Sequence, residues 1–129
     1  MISPRYIREI PQRYRLEASK CEECGKINFP PRLICPSCKS HKFETITLSD
    51  EGKILTYTII RVASDIFSLE TPYAVAIIET KEGAKLTAMV ADTNLDDVSI
   101  GKKVRLEFRK IQDEGVSGLH CYGYKAIVT

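Results

Sequence analysis

The chain has 129 residues, 43% hydrophobic and 28% charged, which fits one compact unit or a small module on a modest domain and excludes a disordered or fibrous protein. Its formal charge of +2 is uneven: residues 1–47 hold nine Lys or Arg against five acidic residues, and residues 48–129 hold ten against twelve. Four thiolates around one dication would remove the remaining excess, a poor electrostatic footprint for a general nucleic-acid binder.

Residues 2–14 carry Arg5, Arg8 and Arg13 and no continuous apolar stretch, so no secretory signal is expected there. The most apolar run, residues 74–78, is far too short to span a membrane. A cytoplasmic setting is expected, and its reducing conditions favour metal binding over disulfides.

In chain order, residues 1–15 read as a short helical segment. Ser3 is placed to cap it, Pro4 suits its first position, and Tyr6, Ile7, Ile10 and Tyr14 recur at helical spacing. Pro11 interrupts that pattern, which predicts two short helical pieces rather than one. Arg5, Arg8, Arg13, Arg15 and Lys20 face only Glu9 and Glu17 in this stretch.

Residues 16–47 form the second unit. Cys21 and Cys24 make one pair, Cys35 and Cys38 another, with ten residues between the pairs. Two tight turns of this kind aim four thiolates at one point, the requirement of a tetrahedral zinc site. Four protein sulfurs leave no position open for water or substrate, so the metal is a staple rather than a catalyst. Four thiolates also suit iron, the alternative reading of the spacing alone. Gly25 suits a knuckle turn, and Lys39 occupies the matching place in the second knuckle. With Pro30 and Pro31 excluding helix, residues 29–34 are expected to run extended. His41 lies just beyond and reads as a surface histidine.

Residues 48–129 read as strands and turns. Strands are predicted over residues 54–64, 73–80, 84–91, 104–109 and 119–128, with a polar connection over residues 92–99. Five strands without a substantial helix suggest a small closed barrel. His120 and Cys121 are adjacent on a strand and so point to opposite faces, which rules out a mutual nucleophile–base pair. Tyr57, Phe67, Tyr73, Phe108, Tyr122 and Tyr124 either stack bases on the barrel surface or fill its seams.

Taken together, the stretches Arg13-Tyr14-Arg15-Leu16, Lys20-Cys21-Glu22-Glu23-Cys24-Gly25, Phe29-Pro30-Pro31-Arg32 and Cys35-Pro36-Ser37-Cys38 are distinctive. With Gly52-Lys53, Thr56-Tyr57-Thr58, Pro72-Tyr73 and Ile100-Gly101 downstream, the chain closely resembles the domain of unknown function 35 family over nearly its whole length. The resemblance implies a mainly β architecture: an N-terminal helical piece, a rubredoxin-like zinc ribbon and a C-terminal five-stranded OB-fold. It implies structural Zn2+ on Cys21, Cys24, Cys35 and Cys38, and association with acyl-CoA enzymes. The implied partners are a thiolase and hydroxymethylglutaryl-CoA synthase, held together at the start of the mevalonate pathway by a non-catalytic scaffold. The alternative is a nucleic-acid-binding ribbon and OB module. If CoA touches this chain, Arg5, Arg8, Arg13, Arg15 and Arg32 are the candidate partners for its phosphates, because guanidinium pairs with phosphate in a bidentate manner.

Overall fold

The computed structural model describes residues 4–113 and 118–129 of the chain. A helix, α1 (Pro4–Tyr14), leads into a three-stranded antiparallel sheet of β1 (Glu17–Cys21), β2 (Ile27–Asn28) and β3 (Phe43–Thr47), in the order β2-β1-β3. A second sheet has the order β6-β5-β4-β7-β8. Its strands are β4 (Glu51–Ile60), β5 (Tyr73–Thr80), β6 (Lys85–Met89), β7 (Lys103–Asp113) and β8 (His120–Val128).

This second sheet closes on itself. Its two outer strands meet where Val90, just past β6, bridges Ala126 of β8 in parallel, and the Ala91 N–H donates to the Ala126 carbonyl at 2.8 Å. Closure removes the free edges that an open five-stranded sheet would expose. Inside lie alternate residues of each strand: Ala74, Ala76 and Ile78 of β5, Val104 and Leu106 of β7, and Ile54 of β4. Leu16 and Ala18, from the ribbon side, belong to the same buried cluster, with Ile27, Phe29 and Ile46 packed against it. Ribbon and barrel therefore share one core.

Several sequence expectations need correction. The N-terminal segment is one helix through Pro11, not two pieces. Side chains brace it: Glu9 accepts from Arg5 at 3.0 Å and, across the proline, from Arg13 at 2.9 Å, and the Tyr6 and Tyr14 hydroxyls meet at 2.6 Å. The cap assigned to Ser3 lies outside the described residues. Residues 29–34 bend rather than run extended, with a cis peptide between Phe29 and Pro30. The first barrel strand begins at Glu51 and stops at Ile60, not over residues 54–64. It begins earlier because Gly52 and Lys53 pair on both sides, with β5 and with β7. It ends earlier because the chain turns into a 3-10 helix, Asp65–Glu70.

Candidate metal centre and its surroundings

Each cysteine pair is presented by a hairpin knuckle, and the two knuckles repeat one pattern. The Gly25 N–H donates to the Cys21 carbonyl at 3.0 Å, and the Lys39 N–H to the Cys35 carbonyl at 2.9 Å. On the other side of each turn the Cys21 N–H reaches Lys26 and the Cys35 N–H reaches Ser40, both at 2.9 Å. Gly25 (φ 76°) and Lys39 (φ 60°) take the left-handed conformation that such a reversal needs. The turn thereby frees further backbone N–H groups to point at sulfur: those of Glu23 and Cys24 at Cys21, and those of Ser37 and Cys38 at Cys35.

The four Sγ atoms lie within 4.8 Å of one another, with Cys21 and Cys38 at 3.4 Å and Cys24 and Cys35 at 3.5 Å. A zinc tetrahedron with bonds of about 2.3 Å has sulfurs roughly 3.8 Å apart, so the cluster fits. Its electrostatics suit a cation. Backbone N–H groups, from Cys24 and Cys38 respectively, hold the Cys21 and Cys35 thiols below their ordinary range. At Cys24 and Cys38 the Lys26 and Ser40 N–H groups pull the same way, yet hydrogen bonds with the neighbouring sulfurs push these thiols up. Four like charges in that space are stable only around a metal. Cys21 and Cys35 are buried and Cys24 and Cys38 exposed, so the site sits at the ribbon tip with one side to solvent. His41 is exposed and stands outside the sulfur cluster.

Of the five arginines, Arg5, Arg8 and Arg13 lie on α1, Arg15 just after it, and Arg32 in the connection between the two cysteine pairs. Arg5 and Arg13 both pair with Glu9, and Arg15 pairs with Glu17 at 2.8 Å. Arg8 and Arg32 are exposed. Cys121 is buried while His120 is exposed and hydrogen-bonded to Asp113, so the two face apart as strand geometry requires.

Sequence reasoning missed the aromatic clamp between α1 and the β7–β8 hairpin. Phe108 packs edge-on against Tyr14 at 4.8 Å and stacks on Tyr122 at 5.5 Å. The Tyr124 hydroxyl donates to the Tyr14 carbonyl at 2.6 Å, satisfying an orphan acceptor at the helix end. Three aromatic residues weighed for base stacking, Phe108, Tyr122 and Tyr124, are thus engaged with the helix. Beside the clamp is a crevice of about 660 Å3 where helix, ribbon and barrel meet, lined by Arg13, Phe29, Met89, Ile111 and Tyr122 among others. The periodic tyrosines of α1 were its only sequence signal. No helix among the described residues is long and apolar enough to cross a membrane.

Comparison with known proteins agrees with this geometry. Residues 8–44 match the family model described as ChsH2, rubredoxin-like zinc ribbon domain, and residues 45–109 that described as ChsH2, C-terminal OB-fold domain. A DUF35 domain-containing scaffold protein of Methanothermobacter thermautotrophicus is 44% identical, over 92% of this chain and 90% of that one. The benzoylsuccinyl-CoA thiolase subunit BbsA of Thauera aromatica is 32% identical over 58% of this chain and 51% of that one. Among solved structures, an Ltp2-ChsH2(DUF35) aldolase aligns with a TM-score of 0.70 and 25% identity, covering 96% of this chain and 95% of that one. The chain belongs to the DUF35 family, whose ChsH2-type members join a rubredoxin-like zinc ribbon to an OB-fold.

Proposed function

We propose that this protein is a non-catalytic scaffold that holds acyl-CoA-processing enzymes, a thiolase and a hydroxymethylglutaryl-CoA synthase of the mevalonate pathway, and helps pass intermediates between them. The observation that carries the reading is the 44% identity, across nearly the whole chain, to a protein named as a scaffold. The thiolase subunit among the relatives supports the choice of enzyme class. The metal centre is consistent with the non-catalytic part, because four protein sulfurs saturate a tetrahedral ion.

Where condensation by a thiolase runs uphill, direct transfer of its acyl-CoA product to the next enzyme draws the reaction forward. In this reading zinc fixes the ribbon and the barrel supplies the second docking surface. Arg5, Arg8, Arg13, Arg15 and Arg32 are the residues proposed to meet the phosphates of CoA. Cytoplasmic placement follows from the proposed partners. Affinity capture of the tagged chain from native extract, followed by mass spectrometry, tests the reading. Thiolase and synthase are expected in near-stoichiometric amounts, and recovery of the chain alone would sink it.

A further inference from the structure

The outer face of the barrel sets two positive charges side by side where β4 meets β7. Lys53 stands directly opposite Lys103 in the register, and Glu79 of β5 and Lys85 of β6 continue the row. The flanking bonds fix the phase of the ladder: the Ile54 N–H donates to the Lys102 carbonyl at 2.9 Å and the Leu106 N–H to the Asp50 carbonyl at 2.6 Å. Lys53 and Lys103 therefore form a non-hydrogen-bonded pair, the position at which opposed side chains come closest. Like charges directly opposite one another destabilise a sheet.

The nearby carboxylates are committed elsewhere. Lys81 pairs with Glu51 and Arg105 with Glu107. Glu51 is drawn chiefly to Lys81, with Lys103 a lesser influence on it. Glu79 stands in register between Lys53 and Lys85, one carboxylate for two lysines. Among the described residues, no carboxylate lies within 4.0 Å of the Lys53 or Lys103 ammonium.

Both lysines line a cleft of about 740 Å3, together with Lys81, Arg105, Glu51 and Glu79. Its wall is open at Gly101, where a Cβ would meet no atom within 4 Å. The backbone beneath is held in place: the Thr129 N–H donates to the Lys103 carbonyl at 3.1 Å, and Lys53 is paired on both flanks. Charges carried on so fixed a base need little reorganisation to bind a ligand.

A diphosphate matches this arrangement. Phosphates on two centres give each ammonium its own oxygen, and the Arg105 guanidinium can pair with one in a bidentate manner. A cleft of this size takes one small molecule. A long polyanion is a worse match, because residues 48–129 hold ten basic residues against twelve acidic ones.

We propose that the cleft at Lys53 and Lys103 binds the diphosphate group of a small molecule. The site stands apart from the cysteine cluster and the arginines of α1, and does not depend on the scaffold reading. The full-length chain with its metal is titrated by calorimetry, at fixed ionic strength, with sodium pyrophosphate and separately with ADP. The double variant Lys53→Gln, Lys103→Gln should weaken binding at least tenfold. Lys20→Gln, Lys42→Gln, an equal charge change on the ribbon, should leave it unaltered. ADP binding the tighter assigns the diphosphate to a nucleotide, and pyrophosphate binding the tighter assigns it to the free anion. Without ligand, the Lys53, Lys103 variant should melt no lower than the wild type, since a repulsion has been removed. A lower melting temperature would show that the two lysines serve the fold, and would overturn the site. So would binding of neither probe, equal loss in both double variants, or tighter binding of a single-stranded oligonucleotide than of either probe.

Discussion

The hydroxyl of Tyr6 occupies the place of a neighbouring strand beside Tyr122. It accepts the Tyr122 N–H at 3.0 Å and lies 3.3 Å from the Tyr122 carbonyl, so one side chain of α1 serves both outward backbone groups of a β8 residue. The edge of the hairpin that extends past the barrel is thereby paired without another strand, which is one way folds blunt an exposed edge.

Replacing Tyr6 with Phe removes that acceptor and takes from the Tyr14 hydroxyl its partner, but keeps the ring. A single partly exposed hydrogen-bond site of this kind is worth about 1 kcal/mol, or roughly 3–6 °C in melting temperature for a domain of this size. Thermal unfolding checks the size. Hydrogen exchange checks the place, because the Tyr122 amide should lose protection while the β4–β5 amides keep theirs.

The same hydroxyl gives stability an alkaline limit. Burial first, then the hydrogen bond to Tyr14, pushes the Tyr6 phenol from 10.0 up to about 12. With the folded value above the unfolded one, the folded state holds the proton more tightly. The contribution is fully present below about pH 10 and is lost as the pH rises toward about 12. Urea midpoints across that window should fall more steeply for the wild type than for Tyr6→Phe. Parallel slopes would show that Tyr6 titrates as a free phenol.

The parts of this molecule that sequence discloses are those set by local chemistry. The two cysteine pairs needed only their spacing, and the knuckle role of Gly25 only its position after Cys24. The strand β5 was legible because Pro72 precedes it and a turn glycine, Gly83, follows it. Pro11 misled because helix propensity ignores braces between side chains four and eight residues apart, here Glu9 with its two arginines and Tyr6 with Tyr14. The Tyr6–Tyr122 contact spans 116 positions and has no local signature. Val62 falls in the strand predicted over residues 54–64, and its exposure is a property of packing that cannot be seen in an apolar letter.

Gly52 lies where β4 and β5 approach closely. A Cβ there would lie 2.6 Å from the Glu79 carbonyl oxygen and 2.8 Å from Ile78 Cγ2. The backbone cannot yield freely, because Gly52 pairs with Thr80 on one side and Val104 on the other. Overpacking of this sort costs about 1–3 kcal/mol, so Gly52→Ala should lower the unfolding free energy by that amount, seen as a lower urea midpoint with little change in slope. A loss of unfolding free energy below about 0.5 kcal/mol would mean that β4 slides at no cost, a result at odds with pairing on both flanks.

Metal removal should damage the ribbon first and the barrel second. The strands β1, β2 and β3 have five, two and five residues, too few to bury a core of their own, so their order depends on the ion. One zinc per chain is expected, released by chelator together with four reactive thiols. Hydrogen exchange should then accelerate across residues 17–47. The barrel will not be indifferent, because Leu16 and Ala18 of the ribbon side belong to the same buried cluster as Ile54 and Ile78. Its melting temperature should fall while its strands still protect their amides. Cys35→Ser should reproduce the metal-free state, since a serine hydroxyl is a poor zinc ligand at a buried position that backbone N–H groups have prepared for a thiolate. Cys121→Ser, remote from the cluster, should keep full zinc content. Equal protection of residues 17–47 with and without metal would show that the shared core alone holds the ribbon.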